Sequence, residues 1–124
     1  MVRLWLVLGG VNAFIAVAAG AFAAHGLRGK LEPRMLEVFE TAARYQMYHA
    51  LALLAVGWLA ARSPSPVVTA AGWCFLAGIV LFSGSLYVLT TAGLGRLGII
   101  TPIGGTLFLA GWALMIVAAV RLEQ

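Results

Sequence analysis

The residues of this chain that could carry out chemistry are concentrated in one stretch, Glu37–His49. It contains two of the four acidic residues, one of the two histidines and two of the three tyrosines. An imidazole beside carboxylates can relay protons, and arginine, tyrosine and glutamine side chains can hold a polar ligand through hydrogen bonds. The candidate residues in this stretch are Glu37, Glu40, Arg44, Tyr45, Gln46, Tyr48 and His49.

The rest of the sequence is strongly apolar, which indicates the environment of these polar residues. Of the 124 residues, 63% are hydrophobic and 10% are charged, whereas a soluble domain has about 45–50% apolar and about 25% charged residues. The charges are separated by apolar runs that are long enough to cross a hydrocarbon core of about 30 Å. We therefore expect an integral membrane protein with a single transmembrane domain, residues 1–124.

Four apolar runs predict the architecture. Each run is long enough for a helix that crosses most or all of the bilayer at a rise of about 1.5 Å per residue. Met35–Ala43 has apolar residues on one helical face and charged residues on the other, which is typical of a helix at the membrane surface. The sequence therefore predicts an all-α integral membrane bundle of four transmembrane helices at about 4–24, 45–61, 67–89 and 101–120, with an interfacial helix at about 33–44.

Three sequence signals mark the starts of these helices. Pro33 can open a helix, because a proline in the first turn loses only a backbone donor that has no partner within the helix. Ser65-Pro66 and Thr101-Pro102 add a hydroxyl that can accept a hydrogen bond from the first turn. An even number of spans places both termini on the same side of the membrane, here named side A, and the opposite side is side B.

The polar residues of the spans fall in the half of the membrane near side B when each span is aligned by its midpoint. Trp5, Trp58 and Trp73 fall toward side A, where tryptophan can form an interfacial belt. Trp73, and Trp112 near the middle of its span, are deep enough to be packing residues instead. Asn12 is the only strongly polar residue of the first span. At about 1.5 Å per residue, the polar residues with increasing distance from the midplane are His49, Tyr48, Ser83, Ser85 and Thr106, then Tyr45, Gln46, Tyr87, Arg44, Thr101 and His25, and finally Glu40 and Glu37.

This one-sided polar layer has two interpretations. Its side chains can form hydrogen bonds that join the helices, which is a common role of polar groups within membrane bundles. They can also form a site for a ligand, an ion or a proton, with His25 and Thr101 as second-rank members. For Glu37, Glu40 and Arg44 the structural interpretation is a charged face that anchors the helix at the membrane surface.

Several other classes of function are disfavoured. The run Gly93–Gly98 matches G-x-G-x-x-G, but it follows a membrane helix rather than a strand, and no acidic residue follows at the required spacing. A metal site is disfavoured because His25 and His49 differ in depth by about 10 Å. Cys74 is the only cysteine, so it adds little to this poor set of ligands. The net charge of +4 comes from single basic residues beside apolar runs, where lipid phosphates attract them. We expect no metal, no cofactor, no nucleic-acid partner and no enzymatic activity.

Four segments resemble domain-of-unknown-function family 423, the YgdD/YwdK type of small bacterial membrane protein related to eukaryotic transmembrane protein 256. The matching segments are Gly20–Leu27, Phe39–Leu51, Phe82–Tyr87 and Leu97–Gly105. They are spread over nearly the whole chain, and they include most of the candidate residues. The resemblance implies a four-helix protein of the bacterial inner membrane, and it brings with it no activity, substrate or catalytic residue.

The sequence predicts a non-enzymatic membrane bundle that binds a small ligand, a membrane lipid or a partner. A row of small residues, Ala16, Gly20 and Ala24, favours close helix packing. We therefore include homo-oligomers among the expected assemblies. The alternative is an oligomeric component of a proton or small-solute transporter or channel.

Side B carries Arg28, Lys30, Arg34, Arg44 and Arg96 against Arg3, Arg62 and Arg121 on side A, so the positive-inside rule predicts a cytoplasmic side B and outside termini.

Overall fold

The computed structural model describes residues 1–122, so the last two residues of the predicted domain lie outside it. All of its regular structure is helical, which confirms the predicted all-α fold. A short 3₁₀ segment, Gly95–Ile99, precedes the last long helix. The four long helices are α1 (Val2–Leu27), α2 (Pro33–Arg62), α3 (Pro66–Ala92) and α4 (Thr101–Val120).

The starts of the helices agree with the sequence signals at two of three positions. Pro33 lies in the first turn of α2, and Ser65 Oγ accepts a hydrogen bond of 3.3 Å from Val68 N at the start of α3. At Thr101-Pro102 the proline agrees, since Pro102 lies in the first turn of α4, but the predicted cap by Thr101 was wrong, because the helix begins without a side-chain cap. Thr101 Oγ1 lies instead 2.6 Å from Ser85 Oγ of α3, so its hydroxyl joins two helices rather than capping one.

Two segments of the helices are wound as π-helix, and the sequence patterns did not predict them. One ends α1 at Ala23–Leu27 and the other interrupts α3 at Ile79–Gly84. At the second segment α4 approaches α3 backbone to backbone, since a Cβ on Gly104 would lie 2.8 Å from the carbonyl carbon of Leu81. Glycine at position 104 is therefore required by the fold. Widened turns of the π-helical kind are often found at functional sites.

Helix α2 is the central helix, because it packs against α1, α3 and α4. The largest buried side chains surround its second half and include Trp5 of α1, Leu53 and Val56 of α2, and Phe75 of α3. The expected position of Trp5 in an interfacial belt was wrong, since its side chain is 0% exposed and packs in this core. Its indole fills the space beside Gly72, where a Cβ would lie 2.6 Å from the ring.

Three helices are long and apolar enough to cross a membrane. They are Val2–Leu27, Pro66–Ala92 and Gly95–Val120, the last of which includes the 3₁₀ segment. Helix α2 is not among them. The physical reason is its composition, because its first half carries the charged and polar residues from Arg34 to His49.

Candidate functional site

A chain of hydrogen bonds joins three helices in the interior. Tyr87 Oη of α3 donates to Gln46 Oε1 of α2 at 2.7 Å, and Gln46 Nε2 donates to Asn12 Oδ1 of α1 at 2.9 Å. Asn12 Nδ2 completes the chain by donating to the backbone oxygen of Leu8 at 2.9 Å. Asn12 and Gln46 are buried. We name Asn12, Gln46 and Tyr87 the amide network.

His49 is held by two hydrogen bonds and a stacked ring. Its Nδ1 lies 2.7 Å from the backbone oxygen of Tyr45, and its Nε2 accepts a bond of 3.1 Å from Trp112 Nε1. This pattern requires a neutral imidazole with its proton on Nδ1, because a carbonyl oxygen cannot donate and an indole N–H cannot accept. The ring of Phe108 stacks on the imidazole with centroids 3.5 Å apart and an angle of 3°. These contacts tie α2 to α4.

Two serines of α3 make further bonds between helices. Ser83 Oγ donates to the backbone oxygen of Ala42 in α2 at 2.8 Å, and the serine side chain is fully buried. Ser85 Oγ lies 2.9 Å from the backbone oxygen of Phe82 and 2.6 Å from Thr101 Oγ1 of α4. The predicted residues Gln46, His49, Ser83, Ser85, Tyr87 and Thr101 thus all take part in contacts between helices.

Other predicted residues face outward and are not joined to this interior. Thr106 is exposed and its hydroxyl donates to the backbone oxygen of Pro102 in the same helix, at 2.9 Å. Glu37 is exposed along α2, and His25 is exposed in the π-helical end of α1. Tyr48 is 50% exposed. The predicted layer therefore separates into a hydrogen-bonded interior and a set of outward-facing groups.

Asn12 and Trp112 are functional candidates that the sequence prediction did not include. The signal for Asn12 was present, because it is the only strongly polar residue of an otherwise apolar run. Alignment by span midpoints nevertheless placed it away from the layer. For Trp112 the signal was its position near the middle of the last span, where an indole N–H needs a partner within the protein.

Two open grooves flank α2 beside the interior. The aromatic groove lies between α2 and α4, has a volume of about 400 Å³, and is lined by Tyr45, Tyr48, His49, Phe82, Phe108 and Trp112, among others. The charged groove lies between α1 and α2, has a volume of about 450 Å³, and is lined by Ala16, Gly20, Ala24, Arg28, Glu40 and Arg44, among others. Within residues 1–122 no three His, Cys, Asp or Glu side chains could hold a metal ion.

Comparison with known proteins assigns most of the chain to one family. Residues 19–105 match the family model described as "Protein of unknown function (DUF423)". UPF0382 membrane protein YwdK of Bacillus subtilis is 49% identical over 96% of this chain and 98% of its own length. A UPF0382 membrane protein of Staphylococcus aureus is 50% identical over 96% and 97% of the two lengths, and one of Staphylococcus epidermidis is 47% identical over the same shares.

No solved structure matches the chain. The names of the relatives and the three apolar helices agree that this is a membrane protein. The resemblance read from the four sequence segments is confirmed by both the family model and these relatives. The chain is a member of the DUF423 family of membrane proteins.

Proposed function

We propose that this protein is a non-enzymatic membrane bundle that binds a small amphipathic molecule from the bilayer in the aromatic groove. The observation that carries the proposal is the groove itself. Ligand pockets are concave and mostly apolar, have a few polar groups, and measure about 300–1,000 Å³. A volume of about 400 Å³ with aromatic walls and two tyrosines agrees with that description.

The walls of the aromatic groove are formed by rings that pack against one another. His49 stacks on Phe108, and Tyr45 packs against Phe82 with ring centroids 4.9 Å apart. Trp112 is held by its bond to His49 and by an edge contact with Phe75 at 5.0 Å. Such walls suit a planar ring or an acyl chain, while the partly exposed tyrosine hydroxyls suit a polar head group.

The hydrogen-bonded interior has a supporting role in this proposal. The amide network and the bonds of Ser83, Ser85 and His49 join all four helices, so they fix the position of α2 against its neighbours. The rings that line the groove then keep one arrangement before a ligand arrives. A preformed site avoids much of the entropy cost of ordering side chains on binding.

The transporter alternative has less support. A proton relay through His49 needs partners that exchange protons with its two nitrogens, and the Tyr45 carbonyl and the Trp112 indole that bind them are not such groups. Purified protein in liposomes tests this alternative directly. Proton or solute flux that is lost in His49→Ala would favour transport over the binding proposal.

A groove-filling variant tests the binding proposal. Gly105 lines the aromatic groove, and a Cβ there would make only an ordinary contact of 3.8 Å with Phe82. Gly105→Leu should therefore fold and fill the groove. Gly10→Leu is the matched control, because Gly10 is exposed on α1 with open space around its Cα.

The measurement is mass spectrometry of small amphipathic molecules that co-purify with the protein extracted directly into lipid nanodiscs. We expect one molecular species to be enriched with the wild type and with Gly10→Leu, and to be lost with Gly105→Leu. No enriched species with the wild type, or equal enrichment in all three proteins, would count against the aromatic groove as a binding site.

The proposal includes a fourth span, α2, in a bacterial inner (plasma) membrane. The 30 residues of α2 would extend about 45 Å at about 1.5 Å per residue, and α2 packs along α1, which is itself apolar enough to span. Cysteines at Lys30 and Ser63 mark the two ends of α2. In a Cys74→Ala background, an impermeant reagent should label them from opposite sides. Labelling of both from one side would exclude α2 as a span.

The same assay tests the proposed orientation of the termini. Side B carries more of the arginine and lysine residues, which supports a cytoplasmic side B. Cysteines introduced at the two termini should therefore react with an external impermeant reagent, together with the one at Ser63. Protection of both termini in intact cells would reverse the orientation.

Self-association is the remaining part of the proposal. Part of the small-residue row is already used within the chain, since Ala16 is buried. The outer faces of α1 and α4 carry large exposed apolar side chains, such as Phe14, Leu109 and Ile116, which a second copy or lipid can cover. Native mass spectrometry in mild detergent should detect oligomers. A strictly monomeric spectrum at several detergent levels would argue against them.

A further inference from the structure

The amide network determines how deep the charged groove reaches into the membrane. Asn12 lies within the apolar run Leu4–Ala24, and its side chain is bonded to Gln46 at 2.9 Å. The two residues are therefore at similar depth. Arg44 precedes Gln46 by two residues, about 3 Å along the helix axis. It thus lies beside the interior of the apolar run of α1 rather than beyond its end.

A second contact supports this register between α1 and α2. A Cβ on Gly57 would lie 2.7 Å from Leu6 Cδ2, so the side A ends of the two helices also meet. Arg44 shares the charged groove with Ala16 and Gly20, which are interior residues of the same apolar run. The backbone of Arg44 is thus flanked by residues that belong in hydrocarbon.

An arginine at this depth needs a partner. Arg44 is exposed on the outside of the helix pair, where a charged group at the depth of acyl chains is costly. A long side chain can reach toward the surface when the path is open. The small side chains of Gly20 and Ala24 leave that path open, and it leads past Glu40 to Arg28 at the end of α1.

We propose that the charged groove binds the head group of an anionic phospholipid, with the phosphate between Arg44 and Arg28. Two guanidinium groups and one carboxylate give the groove a net charge of about +1 at neutral pH, which complements a phosphodiester with one negative charge. Guanidinium groups bind phosphate oxygens through paired hydrogen bonds. Glu40 can accept hydrogen bonds from head-group hydroxyls, as in phosphatidylglycerol. One acyl chain lies along Ala16 and Gly20.

This site is separate from the aromatic groove, which lies on the other flank of α2 and offers rings instead of charges. The lipid head group enters deeper than those of its neighbours in the leaflet, because Arg44 is below the membrane surface. The groove therefore selects for charge and for a head group small enough to pass between α1 and α2.

Native mass spectrometry of the full chain with added phosphatidylglycerol, phosphatidylcholine or inorganic phosphate tests the proposal. The variants are Arg44→Gln and Arg28→Gln, and Arg34→Gln is the control because Arg34 is exposed near the start of the same helix without lining the groove. We expect phosphatidylglycerol to bind the wild type and Arg34→Gln alike. Each groove variant should weaken that binding at least about tenfold, the factor that corresponds to about 1.4 kcal/mol.

Gly20→Leu blocks the space for the lipid in the charged groove without removing the charge of either arginine. A Cβ on Gly20 meets no atom within 4 Å, so the variant should fold while its side chain fills the groove. It should lose phosphatidylglycerol binding with both arginines intact. Equal binding of the two lipids, equal loss in Arg34→Gln, or full binding by folded Gly20→Leu would overturn the proposal. Displacement of the lipid by equimolar inorganic phosphate would assign the arginines to free phosphate instead, and would equally overturn it.

Discussion

The two halves of the interior are held together by different means. Near side A the contacts depend on shape, with Trp5 filling the space beside Gly72 and Leu6 filling the space beside Gly57. Trp5 Nε1 is buried there without a hydrogen-bond partner in the described part of the chain. Near side B close packing also occurs, where Gly104 lies against α3, but hydrogen bonds between side chains of different helices are added to it, as in the bond of 2.9 Å between Gln46 and Asn12.

The difference shows what a helix pair in lipid needs. Apolar side chains gain little from leaving lipid for another helix, so their contribution depends on close packing. A ring against a glycine supplies many close contacts, and its loss leaves a cavity. A hydrogen bond contributes less, but it fixes which residues lie opposite each other. The side A half should therefore be sensitive to volume and the side B half to the loss of polar partners.

The largest expected effect is that of Trp5→Ala. Removal of a buried aromatic ring that is 0% exposed should lower the free energy of unfolding by about 3–5 kcal/mol, through lost contacts and the cavity left behind. Trp58→Ala is the matched control, because this indole is 57% exposed and should cost much less. Equilibrium unfolding in bicelles measures both. Equal losses in the two variants would contradict a shape-dependent side A core.

Overpacking of the same contact should have the next largest effect. A Cβ on Gly72 would lie 2.6 Å from Trp5 Cζ2, and Gly72→Ala should cost about 1–3 kcal/mol in the free energy of unfolding. The smaller ring of Trp5→Phe should recover part of that loss in the double variant. Gly10→Ala has open space and serves as the control. The explanation fails if Gly72→Ala is as mild as Gly10→Ala, or if Trp5→Phe recovers none of the loss.

On the side B half, Gln46→Leu removes two bonds at once, one to Tyr87 and one to Asn12. Hydrogen bonds between membrane helices average about 0.6 kcal/mol and reach about 1.7, so the expected loss of unfolding free energy is about 1–3 kcal/mol. In a Gln46→Leu background, Tyr87→Phe should add almost nothing. Fully additive losses in this double-mutant cycle would show that the two side chains do not interact.

The sequence predicted the helices better than it predicted their register. Apolar runs and the Ser65-Pro66 signal were sufficient to locate helices, because composition and helix starts are local properties. Alignment by span midpoints separated Asn12 and Gln46 by about 13 Å in depth, yet their side chains are bonded. Helix α2 begins at Pro33, so the edges of its apolar run do not mark where it packs against α1.

The candidate site shows the same limit. Residue type and rough depth were sufficient to select Gln46, His49 and Ser83, because polar groups in lipid must find partners. Which partner each one finds depends on the rotation and spacing of helices that are distant in sequence. The π-helical segment of α3 changes that rotation at Ile79–Gly84, and no pattern in the apolar residues marked it. Thr106 was selected on depth alone and faces outward.

The smallest expected effect comes from a single bond on the side B half, that of Ser83 Oγ to the backbone oxygen of Ala42 at 2.8 Å. Ser83→Ala removes this bond with almost no change of volume, so about 0.6 kcal/mol of unfolding free energy should be lost. Thr91→Ala is the control, because that exposed hydroxyl bonds only within its own helix. A loss near that of Trp5→Ala would mean that the contact at Ser83 also depends on shape. A loss no larger than that of Thr91→Ala would mean that the Ser83 bond does not contribute to stability.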